Sequence, residues 1–178
     1  MVVCNSETMA DRVRLLRGHG MAPRYYHKEI GINSRLDSYQ AAILNVKLPY
    51  LDEWTEARAK NAANFEKLFA EAGLSDVVVT PKELPNHRHV WNQYVVRILN
   101  GKRDELRAYL AEHKIGTDIY YPLGLHQQEC FAYLGYKSED LPETLKAANE
   151  VLALPIYPEL TLEEQSYLVE KVMAFYNK

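Results

Sequence analysis

Residues 30–44, IGINSRLDSYQAAIL, decide how the rest of the chain is read. Gly31 opens an extended segment, and a helix-forming run follows almost at once. Side chains at i and i+2 of an extended segment point the same way. Asn33 and Arg35 are therefore expected to face one common target, with Ser34 and Leu36 on the other side. Asp37 is placed as a helix N-cap, and Gln40 three residues on completes a capping-box-like pattern. An amide beside a guanidinium, anchored by a helix start, suits an anion such as phosphate or carboxylate. The alternative is a turn asparagine beside a solvated arginine, and the spacing alone leaves both open.

The pattern extends in both directions from this stretch. A helix is expected from Asp37 to about Leu48, broken at Pro49 because proline lacks an N–H donor and clashes with the preceding turn. A second, long helix follows, with Leu51, Trp54, Ala57, Phe65 and Leu68 on one face and Gly73 as its stop. Upstream, residues 21–36 form a loop. Before it, Asn5 or Ser6 caps a helix carrying Met9, Val13 and Leu16, closed by Gly18 and Gly20. "MVVC" at 1–4 reads as the end of a buried strand. A strand leading straight into a helix is one unit of a larger α/β sheet whose neighbouring strands are not in this chain. Without them, the segment before Gly20 is expected to be labile and sticky, and residues from about 74 onward to be stable.

The character changes after Gly73. "DVVVTP" is a short β run. "HVWNQYVVRIL" is a longer strand, with Val90, Tyr94, Val96 and Ile98 on one face and Trp91, Val95 and Leu99 on the other. Two partly apolar faces imply a central strand. "RDELRAYLAEHKIG" is an amphipathic helix burying Leu106 and Leu110, with Gly116 as its stop. "TDIYYP" is a third strand, on which Tyr120 and Tyr121 point to opposite faces, so that only one faces a pocket directly. A short helix near 127–134, a helix from Pro142 to about Leu152 and a last helix opened by the capping pair Thr161 and Glu164 complete the chain. Leu168, Val172 and Phe175 form the core face of that last helix. Tyr120, Tyr121 and His126 lie just beyond a strand end, where loops carry sites; the alternative is a structural corner at Tyr121-Pro122 with His126 near a helix cap.

Composition narrows the function. With 47% hydrophobic and 25% charged residues, the chain has the balance of a soluble globular protein. A net charge of −3 with scattered Lys and Arg offers no basic stripe for nucleic acid. No apolar run approaches a membrane span, and no signal peptide is evident. Cys4 and Cys130 stand far apart with no CxxC spacing, which argues against a disulfide framework or metal site and for a reducing cytoplasm.

Three stretches then carry a resemblance. "LRGHG…YYHKEIGINSRLDSYQAAILNVKLPYLDEW", "IYYPLGLHQQECFAYLGY" and "LALPIYPELT" are similar, in order, to segments of the DegT/DnrJ/StrS-type nucleotide-sugar aminotransferases, pyridoxal-phosphate enzymes of the aspartate-aminotransferase fold. The resemblance implies an α/β (α+β) chain. It comprises the small C-terminal domain of a fold-type I transferase plus the trailing strand-helix unit of the large domain. The implied layout is 1–36 for that trailing edge and its loop, 37–73 for a long helical connection and 74–178 for the small domain.

The resemblance also implies a gap. The family's Schiff-base lysine, its ring-stacking aromatic and the carboxylate that pairs with the pyridine nitrogen all lie before the matched segments. The first lysine here, Lys28, matches no such position, so no catalytic residue is assigned. Met1 falls where an internal family residue would be. In the family's dimers the Asn matching Asn33 reaches the partner's cofactor phosphate. The Arg matching Arg35 points toward the sugar nucleotide, and the segments matching Tyr120, Tyr121 and His126 line the substrate side. Two departures stand out: Ile32 replaces a frequent aromatic, and Gly124 replaces a frequent Pro. Gly124 is expected to loosen the loop that holds His126. The implied function is amino transfer from glutamate to a keto-sugar nucleotide for amino-sugar or polysaccharide biosynthesis. The implied partner is a second copy or a complementing N-terminal half. A non-catalytic regulatory chain that keeps the family's dimer interface, and one half of a split enzyme, remain as alternatives.

Overall fold

The computed structural model describes residues 2–23 and 27–177, without the side chains of Glu129 and Cys130. Met1 of the MVVC reading and Tyr25-Tyr26 of the family stretch lie outside these. The chain divides into two compact units, Met1–Pro49 and Tyr50–Lys178.

In the first unit, helix α1 (Glu7–Arg17) starts at Ser6, whose side chain accepts from the Met9 N–H. Its C-terminus closes at Gly18, whose N–H donates to the Leu15 carbonyl, and Gly20 turns the chain with φ +66. Helix α2 (Ser38–Lys47) is capped by Asp37, whose carboxylate accepts from the Tyr39 N–H at 2.8 Å. The box with Gln40 does not close. Neither helix buries a residue. The expected strand at the N-terminus is absent: Val2 and Val3 are exposed and unpaired. A strand gains its stability from lateral partners, and no named strand lies in this unit among the described residues.

The break expected at Pro49 is a single 3-10 turn, Leu48–Tyr50, after which α3 (Leu51–Glu71) runs to the Gly73 turn. The inner face of α3 is rotated from the expected one. Thr55, Asn61, Ala62, Phe65 and Phe69 are buried, while Leu51 is exposed. Asn61 and Thr55 are accommodated on that face because each is hydrogen-bonded, Asn61 across the fold and Thr55 within its own helix. Asn61 donates to the Tyr157 carbonyl at 2.9 Å, and Thr55 donates to the Leu51 carbonyl at 2.8 Å.

The sheet has three antiparallel strands in the order β1 (Val78–Val79), β2 (Tyr94–Ile98), β3 (Val151–Leu154). Register pairs Val78 with Ile98, Tyr94 with Leu154 and Val96 with Leu152. β2 is central, as its two-faced apolar pattern implies, but it starts at Tyr94. Val90 is exposed, and Trp91 has φ +50, which takes it out of the strand. Helix α4 (Arg103–Glu112) buries Leu106 and Leu110 completely. It stops earlier than Gly116: Lys114 takes the left-handed position with φ +62.

The third strand is not TDIYYP. That segment makes one bridge, Asp118 with Ala153. Pro122 lacks the N–H a longer ladder needs. The sheet instead recruits VLAL, the tail of the helix expected to reach Leu152. Helix α5 (Pro142–Glu150) ends at Glu150. A short apolar run fits either element, and pairing with β2 decides it here. Buried Arg103 closes that junction by donating to the Ala148 and Val151 carbonyls, both at 3.1 Å. Arg97 adds two bonds to Glu150, at 2.9 and 2.6 Å.

Helix α6 (Leu162–Tyr176) carries the expected capping box of Thr161 with Glu164. The Thr161 N–H and hydroxyl hold the Glu164 carboxyl below its usual range. Leu168, Val169 and Val172 are buried, and Phe175 is half-buried. One core joins α3, the sheet, α4 and α6 around Phe65, Tyr94, Leu106, Leu152 and Val172.

Candidate functional site

Asn33 and Arg35 do meet. The Arg35 Nε donates to the Asn33 Oδ1 at 3.3 Å, and both residues are exposed. The C-terminal end of α1 holds the segment in place. A helix leaves its last carbonyls without intrahelical partners. The Ile32 N–H donates to the Leu16 carbonyl at 2.9 Å, and the Ser34 N–H donates to the Arg17 carbonyl at 3.0 Å. The His19 N–H returns a bond to the Ile32 carbonyl at 3.1 Å, which bridges Gly18 and Asn33. Alternate N–H groups thus face the helix end, with Asn33 between them.

Two glycines make this approach possible. A Cβ on Gly31 would lie 2.3 Å from the Leu16 carbonyl oxygen and 2.5 Å from the Gly20 nitrogen. A Cβ on Gly20 would lie 2.0 Å from the Glu29 carbonyl oxygen. An ion pair between Arg12 and Glu29 ties the loop to the outside of α1. Gly31→Ala is therefore expected to detach residues 31–34 from α1 at a cost of about 1–3 kcal/mol, the usual range for forced overpacking. Amide exchange at Ile32 and Ser34 measures this. Protection equal to the parent's would mean that the helix end tolerates the methyl group.

In the second unit, Tyr120 and Tyr121 line one cavity of about 440 Å³, together with Leu123, Leu125, Thr144 and Val151. The expected split of the two rings onto opposite faces fails because no strand continues through them. Their centroids are 5.8 Å apart. The Tyr120 phenol donates to the Asp118 carboxylate. The Ile119 N–H, at 2.8 Å, and then the Tyr120 hydroxyl hold the Asp118 carboxyl below its usual range. The same bond, with the carboxylate's charge, pushes the Tyr120 phenol up. Both effects favour the protonated phenol, which donates to Asp118. Asp118 went unnoticed in the sequence, although its i, i+2 spacing to Tyr120 was visible.

His126 is not among the residues lining this cavity. Its Nε2 lies 3.3 Å from the Ser138 carbonyl oxygen, and its Nδ1 is buried without a partner. The ring sits over Gly124, where a Cβ would fall 2.7 Å from the His126 Cε1 and 2.7 Å from the Thr144 Cγ2. Gly124 therefore does not loosen His126. It is the space into which the imidazole packs, and a proline ring there would collide with it. Among the described residues no cluster of His, Cys, Asp or Glu could hold a metal ion, and no helix is long and apolar enough to cross a membrane.

The chain belongs to the DegT/DnrJ/EryC1/StrS aminotransferase family, which it matches over residues 1–173. It is 53% identical over 176 residues to a protein of Geobacillus stearothermophilus named pleiotropic regulatory protein, covering 99% of this chain and 46% of that one. It is 35% identical over 171 residues to the dTDP-3-amino-3,4,6-trideoxy-alpha-D-glucose transaminase of Streptomyces venezuelae, covering 96% and 44%. Among solved structures, it superposes on S. venezuelae DesV in complex with a ketimine intermediate with a TM-score of 0.89 at 33% identity, covering 99% of this chain and 46% of that one. The chain spans about half the length of the curated relatives it matches.

Proposed function

We propose that this chain supplies the C-terminal portion of a pyridoxal-phosphate-dependent aminotransferase that moves an amino group from glutamate onto a keto-sugar nucleotide. Family membership supports the reaction class. The observation that carries the chain's own share is the Asn33–Arg35 pair fixed to the end of α1. With the Asn33 Oδ1 engaged by Arg35, the amide NH₂ and the remaining guanidinium N–H groups are donors directed to solvent. This donor set fits a phosphate. Pyridoxal phosphate, when bound, supplies the electron sink that lets nitrogen leave one carbon and join another.

In this reading Asn33 holds the cofactor phosphate of a partner subunit and Arg35 faces the sugar nucleotide. Tyr120 and Tyr121 wall the substrate space. His126 reaches substrate only by swinging off Gly124. The protein works in the cytoplasm as a homodimer, or with a complementing N-terminal half that carries the Schiff-base lysine. No lysine lines the Tyr120–Tyr121 cavity.

The purified chain, incubated with pyridoxal phosphate and reduced with borohydride, is expected to give only scattered labelling of surface lysines in peptide mass spectra. One stoichiometric adduct, abolished by a single Lys→Ala change, would overturn the assignment of that lysine to another segment. A second reading, a regulatory chain without catalysis, is favoured by the name of the Geobacillus relative, a pleiotropic regulatory protein.

A further inference from the structure

Helix α4 is followed by a lysine where glycine is the usual choice. Lys114 holds φ +62 just beyond the helix, the left-handed position that a Cβ makes costly. A strained residue of this kind directs attention to what its side chain reaches. Lys114 lines a cavity of about 360 Å³, to which the 155–160 segment and the first turns of α6 contribute the other walls. None of its lining residues belongs to the Tyr120–Tyr121 cavity.

The walls are held from behind. Buried Asn61 donates to the Tyr157 carbonyl at 2.9 Å, and buried Gln165 donates to the Leu160 carbonyl at 3.3 Å. The Gln165 amide also donates to the Asn61 Oδ1 at 3.1 Å. Leu160 and Leu168 supply a buried apolar floor, and the half-exposed rings of Tyr157 and Tyr167 stand beside it. Lys171 packs over the Tyr167 ring, with its Nζ 4.9 Å from the centroid. A lining fixed in advance spares a ligand much of the cost of ordering its site.

Lys114, Glu163 and Glu164 all line the cavity, and only Glu164 is engaged. Its carboxylate accepts from the Thr161 N–H and hydroxyl, both at 2.8 Å, and from the Tyr157 phenol. Among the described residues, the Lys114 ammonium and the Glu163 carboxylate have no hydrogen-bond or ion-pair partner, and they are not paired with each other. A free cation and a free anion on one apolar-floored space suit a ligand that carries both charges beside an apolar group. A phosphate or dicarboxylate would meet Glu163 and Glu164 as like charges, and a simple cation would meet Lys114. We infer that this cavity binds a zwitterionic α-amino acid with an apolar side chain. Glu163 takes the ammonium, Lys114 takes the carboxylate, and Tyr157, Tyr167 and Leu160 pack on the side chain. The inference stands apart from the sugar-nucleotide reading and gives the chain a second small-molecule site.

The test is an amide-resolved NMR titration of the full chain with L-phenylalanine. Phenethylamine, which lacks the carboxylate, and hydrocinnamate, which lacks the ammonium, are titrated in parallel. Phenylalanine should give saturable shifts at residues 114–116 and 160–168, and each analogue should bind at least about tenfold more weakly, the loss of one charge-assisted contact. Lys114→Met should bring phenylalanine down to the affinity of phenethylamine and leave phenethylamine itself unchanged. Glu163→Gln should do the same with respect to hydrocinnamate. Unaltered spectra elsewhere show that both variants fold. Equal affinities for all three probes, or no saturable shift at these residues, would overturn the inference, and neither result would touch the sugar-nucleotide reading.

Discussion

Phe65→Ala is expected to destabilise the second unit by about 3–5 kcal/mol, the range for truncating a fully buried Phe. Phe65 is fully buried, and its ring lies 5.1 Å from that of Tyr94 and 6.2 Å from that of Phe69. It joins α3 to the central strand. Its removal leaves a cavity that a sheet pinned by β3 and α6 cannot collapse to fill. Urea unfolding monitored at Trp91 measures the cost, and hydrogen exchange locates it: protection at residues 94–98 should fall with that of α3. Ala62, Phe65 and Phe69 belong to the same core as the sheet, so α3 is expected to unfold with it as one body. A loss below about 1 kcal/mol, the level of ordinary surface substitutions, would mean that α3 is not part of that body.

The second large effect is expected at the Asn/Arg pair. In a complete family enzyme built with this chain, Arg35→Ala should weaken sugar-nucleotide binding more than cofactor binding, and Asn33→Ala should do the reverse. Each loss should be worth about 1.5–3 kcal/mol, the value of a hydrogen bond to a charged group. That corresponds to roughly tenfold to a hundredfold in affinity. Each variant also frees the other side chain from their 3.3 Å bond, so the double variant should cost less than the sum. Equal effects of both changes on both ligands would show that the two roles are not divided this way.

The local signals in the sequence were strong where chemistry is local. Caps at Ser6, Asp37 and Thr161, stops at Gly18 and Gly73, the core of α4 and the centrality of β2 all follow from side chains acting on their own neighbourhood. The i, i+2 rule brought Asn33 and Arg35 together. What stayed hidden depends on distant partners. VLAL and TDIYYP are both short apolar runs, and only the position of β2 decides which of them joins the sheet. The inner face of α3 is set by the Tyr157 carbonyl, which receives Asn61 from 96 residues away. Gly31 and Gly124 are required by atoms they touch across loops, the Leu16 carbonyl and the His126 ring, and neither appears in a one-dimensional pattern. The turn at Trp91 follows the same logic, since His89 and the core hold it.

In the function proposed above, this chain completes an aminotransferase whose Schiff-base lysine lies in another segment. The direct measurement joins the chain to a family N-terminal half carrying that lysine, then follows isotopically labelled nitrogen from glutamate to a dTDP-linked keto-hexose by mass spectrometry. Labelled amino sugar is expected from the joined protein, none from this chain alone, and a sharp drop when Asn33 and Arg35 are both replaced. A joined protein that folds and takes up pyridoxal phosphate yet moves no labelled nitrogen would contradict it, and would leave the regulatory reading in its place.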